Sequence, residues 1–167
     1  MATSAQDFLQ PALLDRLTDD DPGHRTEARE QRAMSKARLR AAVLRDLAWL
    51  FNASQQTDAD TWIGHPHAQR SVLNYGLPAL SGQTASSIDV AVIEAAVRQA
   101  ILDHEPRILP ASLRVEASAS VPLMEQHNQL SFRIHGQLWA QPMPLDLLLQ
   151  TDVDLESGYV RVKDLSR

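Results

Sequence analysis

The chain has 167 residues, no cysteine, 16 basic and 21 acidic residues, and a net charge of −5. That length favours one domain with a core of its own, and the missing cysteines exclude disulfides and thiolate chemistry, in keeping with a reducing, cytoplasmic setting. Acidity disfavours nucleic acid, whose recognition needs a basic footprint. No apolar run approaches the ~20 residues of a membrane helix. The N-terminus lacks the basic start and apolar centre of a secretory signal.

Of the 16 basic residues only Lys36 and Lys163 are lysines, which leaves 14 arginines. Arginine is favoured over lysine at protein interfaces because its planar head pairs bidentately and sheds water more readily. A GC-rich genome would raise arginine equally well.

Residues 1–35 read as a partly flexible extension and residues 36–167 as the folded domain. In the extension, Phe8, Leu9, Leu13, Leu14 and Leu17 of "FLQPALLDRL" form an apolar cluster too small for a core, so it docks on its own domain or on another chain. The acidic run Asp19-Asp20-Asp21 reads as solvated linker. "KARLRAAVLRDLAWLFN" (36–52) is the first helix: Leu44, Leu47, Leu50 and Phe51 share one face, with Arg38, Arg45 and Asp46 off it. The "HPH" at 65–67 offers two histidines without a third ligand, hence no metal site. Residues 70–82 read as a short helical turn closed by Gly76 and Pro78. "SSIDVAVIEAAVRQAILDHEP" (86–106) is the second helix, with Ser86 and Asp89 spaced as a capping box. Its apolar positions, Ile88, Val92, Ala95 and Ile93, Val97, Ala100, Ile101, His104, make a broad face, and Pro106 ends it.

Beyond it the period changes to two. Residues 113–121, 130–140 and 145–155 alternate apolar with polar, and "GYVRV" (158–162) follows the turn-like Glu156-Ser157-Gly158. Such alternation predicts a sheet with one solvated face. The expected fold class is α+β, with two main helices on one face of a C-terminal, mostly antiparallel meander.

Catalytic patterns are missing: there is no phosphate loop, nucleophile elbow or zinc-protease motif. "EPR", Glu105-Pro106-Arg107, stands apart. It puts an anion at a helix C-terminus, where the dipole disfavours one, followed by a proline and a cation. Arg107, two residues away, favours a structural ion pair at Glu105 over a general acid.

Several segments in order, "LLDRLTDDDP" (13–22), "LRAAVLRDLAWLFN" (39–52), "SVLNYGLPALSG" (71–82), "HEPRILPASLRV" (104–115) and 127–160, resemble the TssE family of small type VI secretion baseplate subunits. That family is similar to phage baseplate wedge proteins, once labelled lysozyme-like, and Glu-Pro-Arg is its hallmark; the loop at 53–69 is the least recognisable part. The resemblance implies a non-enzymatic assembly subunit without cofactor or metal. Its partners would be TssF and TssG in the wedge, TssK and the VgrG hub by proximity, and the TssB/TssC sheath. It would act in the cytoplasm at a baseplate docked to the inner-membrane complex. It implies that Glu105, Pro106 and Arg107 meet neighbouring wedge subunits, the alternative being a Glu105–Arg107 pair that serves folding alone. Leu13, Leu14, Asp15, Arg16 and Leu17 are a second candidate contact. The strands at 145–155 and 159–162 are candidate sheath-pairing edges, through Leu148, Gln150, Asp152, Asp154, Tyr159 and Arg161. The competing readings are a peptidoglycan-cleaving muramidase and a baseplate subunit of a phage-derived injection device.

Overall fold

The computed structural model describes residues 12–18, 23, 34–55, 59–79, 89–118, 129–140 and 143–166. Phe8, Leu9, Ser86, Ile88 and the acidic run at 19–21 lie outside them, as does the end of the first alternating run, 119–121.

Among the described residues, four α-helices precede a four-stranded sheet: α1 (Leu13–Leu17), α2 (Lys36–Phe51), α3 (Pro66–Gln69) and α4 (Val90–His104). The strands are β1 (Arg114–Ala117), β2 (Gln129–Leu138), β3 (Leu145–Asp154) and β4 (Val160–Asp164), all antiparallel and in sequence order. The α+β meander expected from the alternation is therefore present.

Local chemistry sets the helix ends. The Ser35 hydroxyl accepts the Arg38 N–H at 3.1 Å and starts α2. At its end, Ala48 O accepts both the Asn52 backbone N–H at 3.2 Å and Asn52 Nδ2 at 2.8 Å, so the side chain reinforces the closing bond. Helix α4 begins later than the capping-box spacing predicts. Asp89 is itself the N-cap and accepts the Ala91 N–H at 3.0 Å, so it cannot be the third residue of a box begun at Ser86. Only one of the two apolar stripes on α4 is buried. Ile93, Val97, Ala100 and Ile101 face the sheet, while Val92 is 60 % exposed and Ala95 is also outside the core. A helix laid on one side of a sheet covers a single stripe, and the second is left to solvent.

The core lies between α2, α4 and the sheet. Val43, Leu47, Leu50 and Phe51 meet Ile93, Val97 and Ile101 over Phe132, Ile134, Leu138, Leu147, Leu149 and Val153. The pairs Ile134↔Leu149 and Phe132↔Thr151 hold the centre of the β2–β3 register. The alternation fixes that register, because a one-residue slip would turn these side chains into water.

Between α2 and α4, residues 53–55 run beside Leu77 as a parallel bridge, with Leu77 N–H donating to Ala53 O at 2.9 Å and Gln55 N–H to Leu77 O at 2.8 Å. Gly76 permits this approach: its φ is +124°, and a Cβ there would stand 2.3 Å from Ala53 O.

The edges of the sheet are β1 and β4. Strand β3 is paired on both sides, with β2 along its length and with β4 from Leu149 to Val153. Leu148, Gln150, Asp152 and Asp154 therefore lie on an interior strand and cannot form a free edge, contrary to the expectation for 145–155. The Asp154 side chain folds the chain back by accepting the Glu156 and Ser157 N–H groups at 2.8 and 3.2 Å, and β4 returns along β3. Tyr159 and Arg161 do flank or lie on an edge strand.

Candidate partner-binding surface

The helix-terminating tripeptide is folded as a corner. Glu105 N–H still donates to Ile101 O at 2.8 Å, and Pro106 then prevents another turn. Its other flank is stitched to the sheet: Trp139 N–H donates to Arg107 O at 2.7 Å, Leu109 N–H to Gln137 O at 2.8 Å, and Ile108 bridges Leu138. The corner is rigid on both sides, which aims the Arg107 side chain back over Glu105.

The carboxylate of Glu105 is only 4 % exposed. Its Oε1 accepts the Arg107 backbone N–H at 3.1 Å and Arg107 Nε at 2.7 Å, and Oε2 accepts Nη2. This is the fork geometry in which guanidinium and carboxylate match best. Arg107 Nη2 also donates to Asp46 Oδ2 on α2 at 2.6 Å. Burial alone would disfavour the Arg107 cation, but its bonds to Glu105 and Asp46 outweigh that and hold its pKa above the usual arginine value. The internal Glu105–Arg107 pair weighed above as the folding-only alternative is present.

The charges continue outward. Asp46 Oδ1 accepts Arg45 Nε at 2.8 Å, and Arg45 Nη1 donates to Asp15 Oδ1 at 2.6 Å. Asp15 is the largest influence raising the Arg45 pKa, with burial opposing it. One relay, Glu105–Arg107–Asp46–Arg45–Asp15, thus ties α1 to α2 and to the corner. Arg45 also stands 5.1 Å from the Trp49 ring centre, in cation–π range. At the rim of the corner, Tyr75 packs edge-to-face on His104 with ring centres 5.1 Å apart. Burial pushes the Tyr75 hydroxyl pKa up, helped by the charges of Asp46 and Glu105. Burial pushes His104 down, against the opposing pull of Asp103.

The five residues of α1 divide by role. Asp15 is turned inward to Arg45, while Leu13 and Leu17 are 71 % and 74 % exposed and Leu14 and Arg16 are also exposed. Docking is ionic, and the leucines remain uncovered next to a half-exposed Trp49. Three atoms of the relay, Arg107 Nη1, Asp15 Oδ2 and Arg45 Nη2, are buried without a hydrogen-bond partner among the described residues, although Arg45 Nη2 lies 2.8 Å from Asp46 Oδ1 as an ion pair. Sequence reasoning missed Asp46, Arg45 and Asn52. Asp46 and Arg107 are 61 positions apart, so no local spacing betrays the pair; only an acid standing off the apolar stripe of α2 hinted at it.

No group of three or more potential metal ligands occurs among the described residues. No helix among them is long and apolar enough to cross a membrane. The model of one family, described as baseplate wedge protein gp25, matches residues 37–143. That range runs from the first turn of α2 through the corner and β2 to the turn before β3. No curated protein and no solved structure matches the chain.

Proposed function

From the premise that the chain belongs to the baseplate wedge protein gp25 family, whose role is structural, we propose that it is the TssE-type subunit of a type VI secretion baseplate. In that role it joins TssF and TssG in the wedge, near TssK and the VgrG hub, and offers β4 to the first TssB/TssC sheath ring. It does so from the cytoplasmic side and without a catalytic step. The single observation that carries the baseplate reading is the family match, which spans both long helices and the Glu-Pro-Arg corner. The secretion-system assignment is supported by "LLDRLTDDDP" (13–22), which lies outside the matched range.

The corner supports an assembly role over a hydrolytic one. Glycoside hydrolysis needs a carboxylic acid free to give up a proton, whereas both Glu105 oxygens are engaged by Arg107. The surface above the relay has the make-up of an interface centre: exposed leucines, an aromatic ring and buried polar atoms still short of partners. A helix from a wedge neighbour that covers Leu13, Leu17 and Trp49 would bring groups to Arg107 Nη1 and Asp15 Oδ2.

Co-purification with TssF and TssG tests this. Leu13→Ser/Leu17→Ser removes exposed apolar surface only, so it should fold as the wild type yet lose both partners. Arg107→Lys keeps the charge but cannot serve Glu105 and Asp46 together, and should weaken capture. Undiminished capture by both variants would overturn the wedge contact. Loss of peptidoglycan cleavage on Glu105→Gln, from an active wild type, would favour the muramidase.

A further inference from the structure

The outer side of β4 shows which of its backbone groups are taken. Asp154 N–H donates to Tyr159 O at 3.0 Å and Leu165 N–H to Leu148 O at 2.8 Å. In an antiparallel ladder these pairs fix the alternation: residues 159, 161, 163 and 165 bond inward to β3, and 160, 162, 164 and 166 turn their backbone groups outward. The four outward positions differ. Val160 is fully occupied, its N–H donating to Asn52 Oδ1 at 2.9 Å and its carbonyl accepting Asn52 Nδ2 at 2.9 Å. The same Nδ2 donates to Ala48 O, so the amide is anchored to the end of α2. Ser166 N–H is folded back onto Asp164 Oδ1 at 2.8 Å. Between them, the outward groups of Val162 and Asp164 have no partner among the described residues.

We infer that Asn52 is a strand mimic that sets a register stop: an extended segment of a partner chain pairs with Val162 and Asp164 and ends before Val160. A primary amide can present an acceptor and a donor side by side, as a strand does, with its second N–H left for Ala48 O, and here it sits where the next residue of an added strand would pair. Pairing at Val162 and Asp164 exchanges water for protein, a modest net gain per bond. Pairing at Val160 exchanges two bonds already made for two new ones. The ladder gains by growing up to Val162 and gains nothing by passing it.

The strand also states what it fits. Arg161 and Lys163 alternate with Val160 and Val162. Lys163 is held by Asp152 at 2.8 Å, whereas Arg161 has no ion pair among the described residues. The added segment therefore carries an acid on the solvent face near Arg161 and apolar side chains on the opposite face. At the stop lies a recess of about 360 Å³ lined by Asn52, Phe51, Leu77, Pro78 and Tyr159, which takes an apolar side chain where the segment leaves the ladder. This inference rests on the sheath-pairing reading of β4 and adds its register.

Residue-resolved amide hydrogen exchange of the full chain, with and without the TssB/TssC heterodimer, tests it. In the wild type alone, Val160 should exchange slowly and Val162 and Asp164 fast. Adding the heterodimer should slow the latter two about tenfold or more, the equivalent of one or two hydrogen bonds, and leave Val160 unchanged. In Asn52→Ala, Val160 should be fast alone and slow in the complex, because the ladder now runs through it. Asn52→Asp keeps the acceptor and loses the donor, so it should lie between, and it covers the case in which the alanine variant frays α2. Arg161→Glu should weaken binding about fivefold, as for a cross-strand charge pair of ~1 kcal/mol. A fast Val160 in the free wild type, or protection that stops at Val162 in both Asn52 variants, would overturn the stop alone. No protection at Val162 and Asp164 in any form would overturn the edge reading beneath it.

Discussion

The Glu-Pro-Arg corner and the outer side of β4 are both candidate contact surfaces, and they are built on opposite terms. At the corner the conspicuous groups are ionised side chains, and they are nearly all engaged inside the chain: Glu105 by Arg107, Arg107 by Asp46, Arg45 by Asp15. At β4 the side chains are ordinary, and what stays open is main chain at Val162 and Asp164. The contrast teaches that a charged motif can be the least available part of a surface. The corner closes its charges on itself beside exposed leucines and a tryptophan, and the edge leaves bonds unmade.

The largest expected effect breaks the corner. Arg107→Ala leaves Glu105 buried and unpaired, and equilibrium urea denaturation should show a loss of about 3 kcal/mol or more; a loss below ~1 kcal/mol would mean that the pair behaves as a solvated one. Next comes the edge. Asn52→Ala removes the helix-end bond and both bonds to Val160, and the same denaturation should register about 1–2 kcal/mol, with the effect concentrated at Val160. Smaller again is the outer end of the relay. Asp15→Ala should cost at most ~1 kcal/mol, since the Asp15–Arg45 pair is partly exposed. A double-mutant cycle between Asp15→Ala and Arg107→Lys should return a coupling of about 0.5 kcal/mol through Asp46, where independent sites would give none. The smallest effect is set by pH. Burial holds His104 below its unfolded pKa of about 6.5. The unfolded chain therefore takes up a proton first, and stability declines as pH falls from about 6.5 through the lower folded value. His104→Gln should flatten that stretch of the stability–pH curve; an unchanged slope would assign the decline to other groups.

What could be read from the sequence was whatever depends on neighbours along the chain. Alternation at 130–138 and 145–155 placed Phe132, Ile134, Leu147, Leu149 and Val153 in the core, where they are. The leucine spacing did the same for α2. Reading failed where a distant element decides. Val92 and Ala95 carry an apolar stripe as regular as that of Ile93 and Val97, and only the side on which the sheet lies separates them. The strand at 145–155 reads as a candidate edge alongside 159–162, yet the five residues of β4 suffice to cover its outer side from Leu149 to Val153. In the candidate surface, the pairing of Glu105 with Arg107 followed from their adjacency. The acids and amides that complete it, Asp46, Asp15 and Asn52, come from other segments and share no spacing with it.

The far side of the sheet holds one more consequence. The chain that leaves the corner runs along β2 in two pieces, the bridge at Ile108 and strand β1, separated by the 3₁₀ turn Pro110–Ser112. The Ser112 hydroxyl fills the gap by accepting the Gln137 N–H at 2.8 Å, and Glu94 from α4 accepts the outward N–H of Ala117. An interrupted and partly plugged border is a poor template. On the pairing inferred for β4, growth of the sheet would be one-sided: a chain added at β4 would meet no equally open border at β1 among the described residues, so copies would not stack edge to edge into a ribbon.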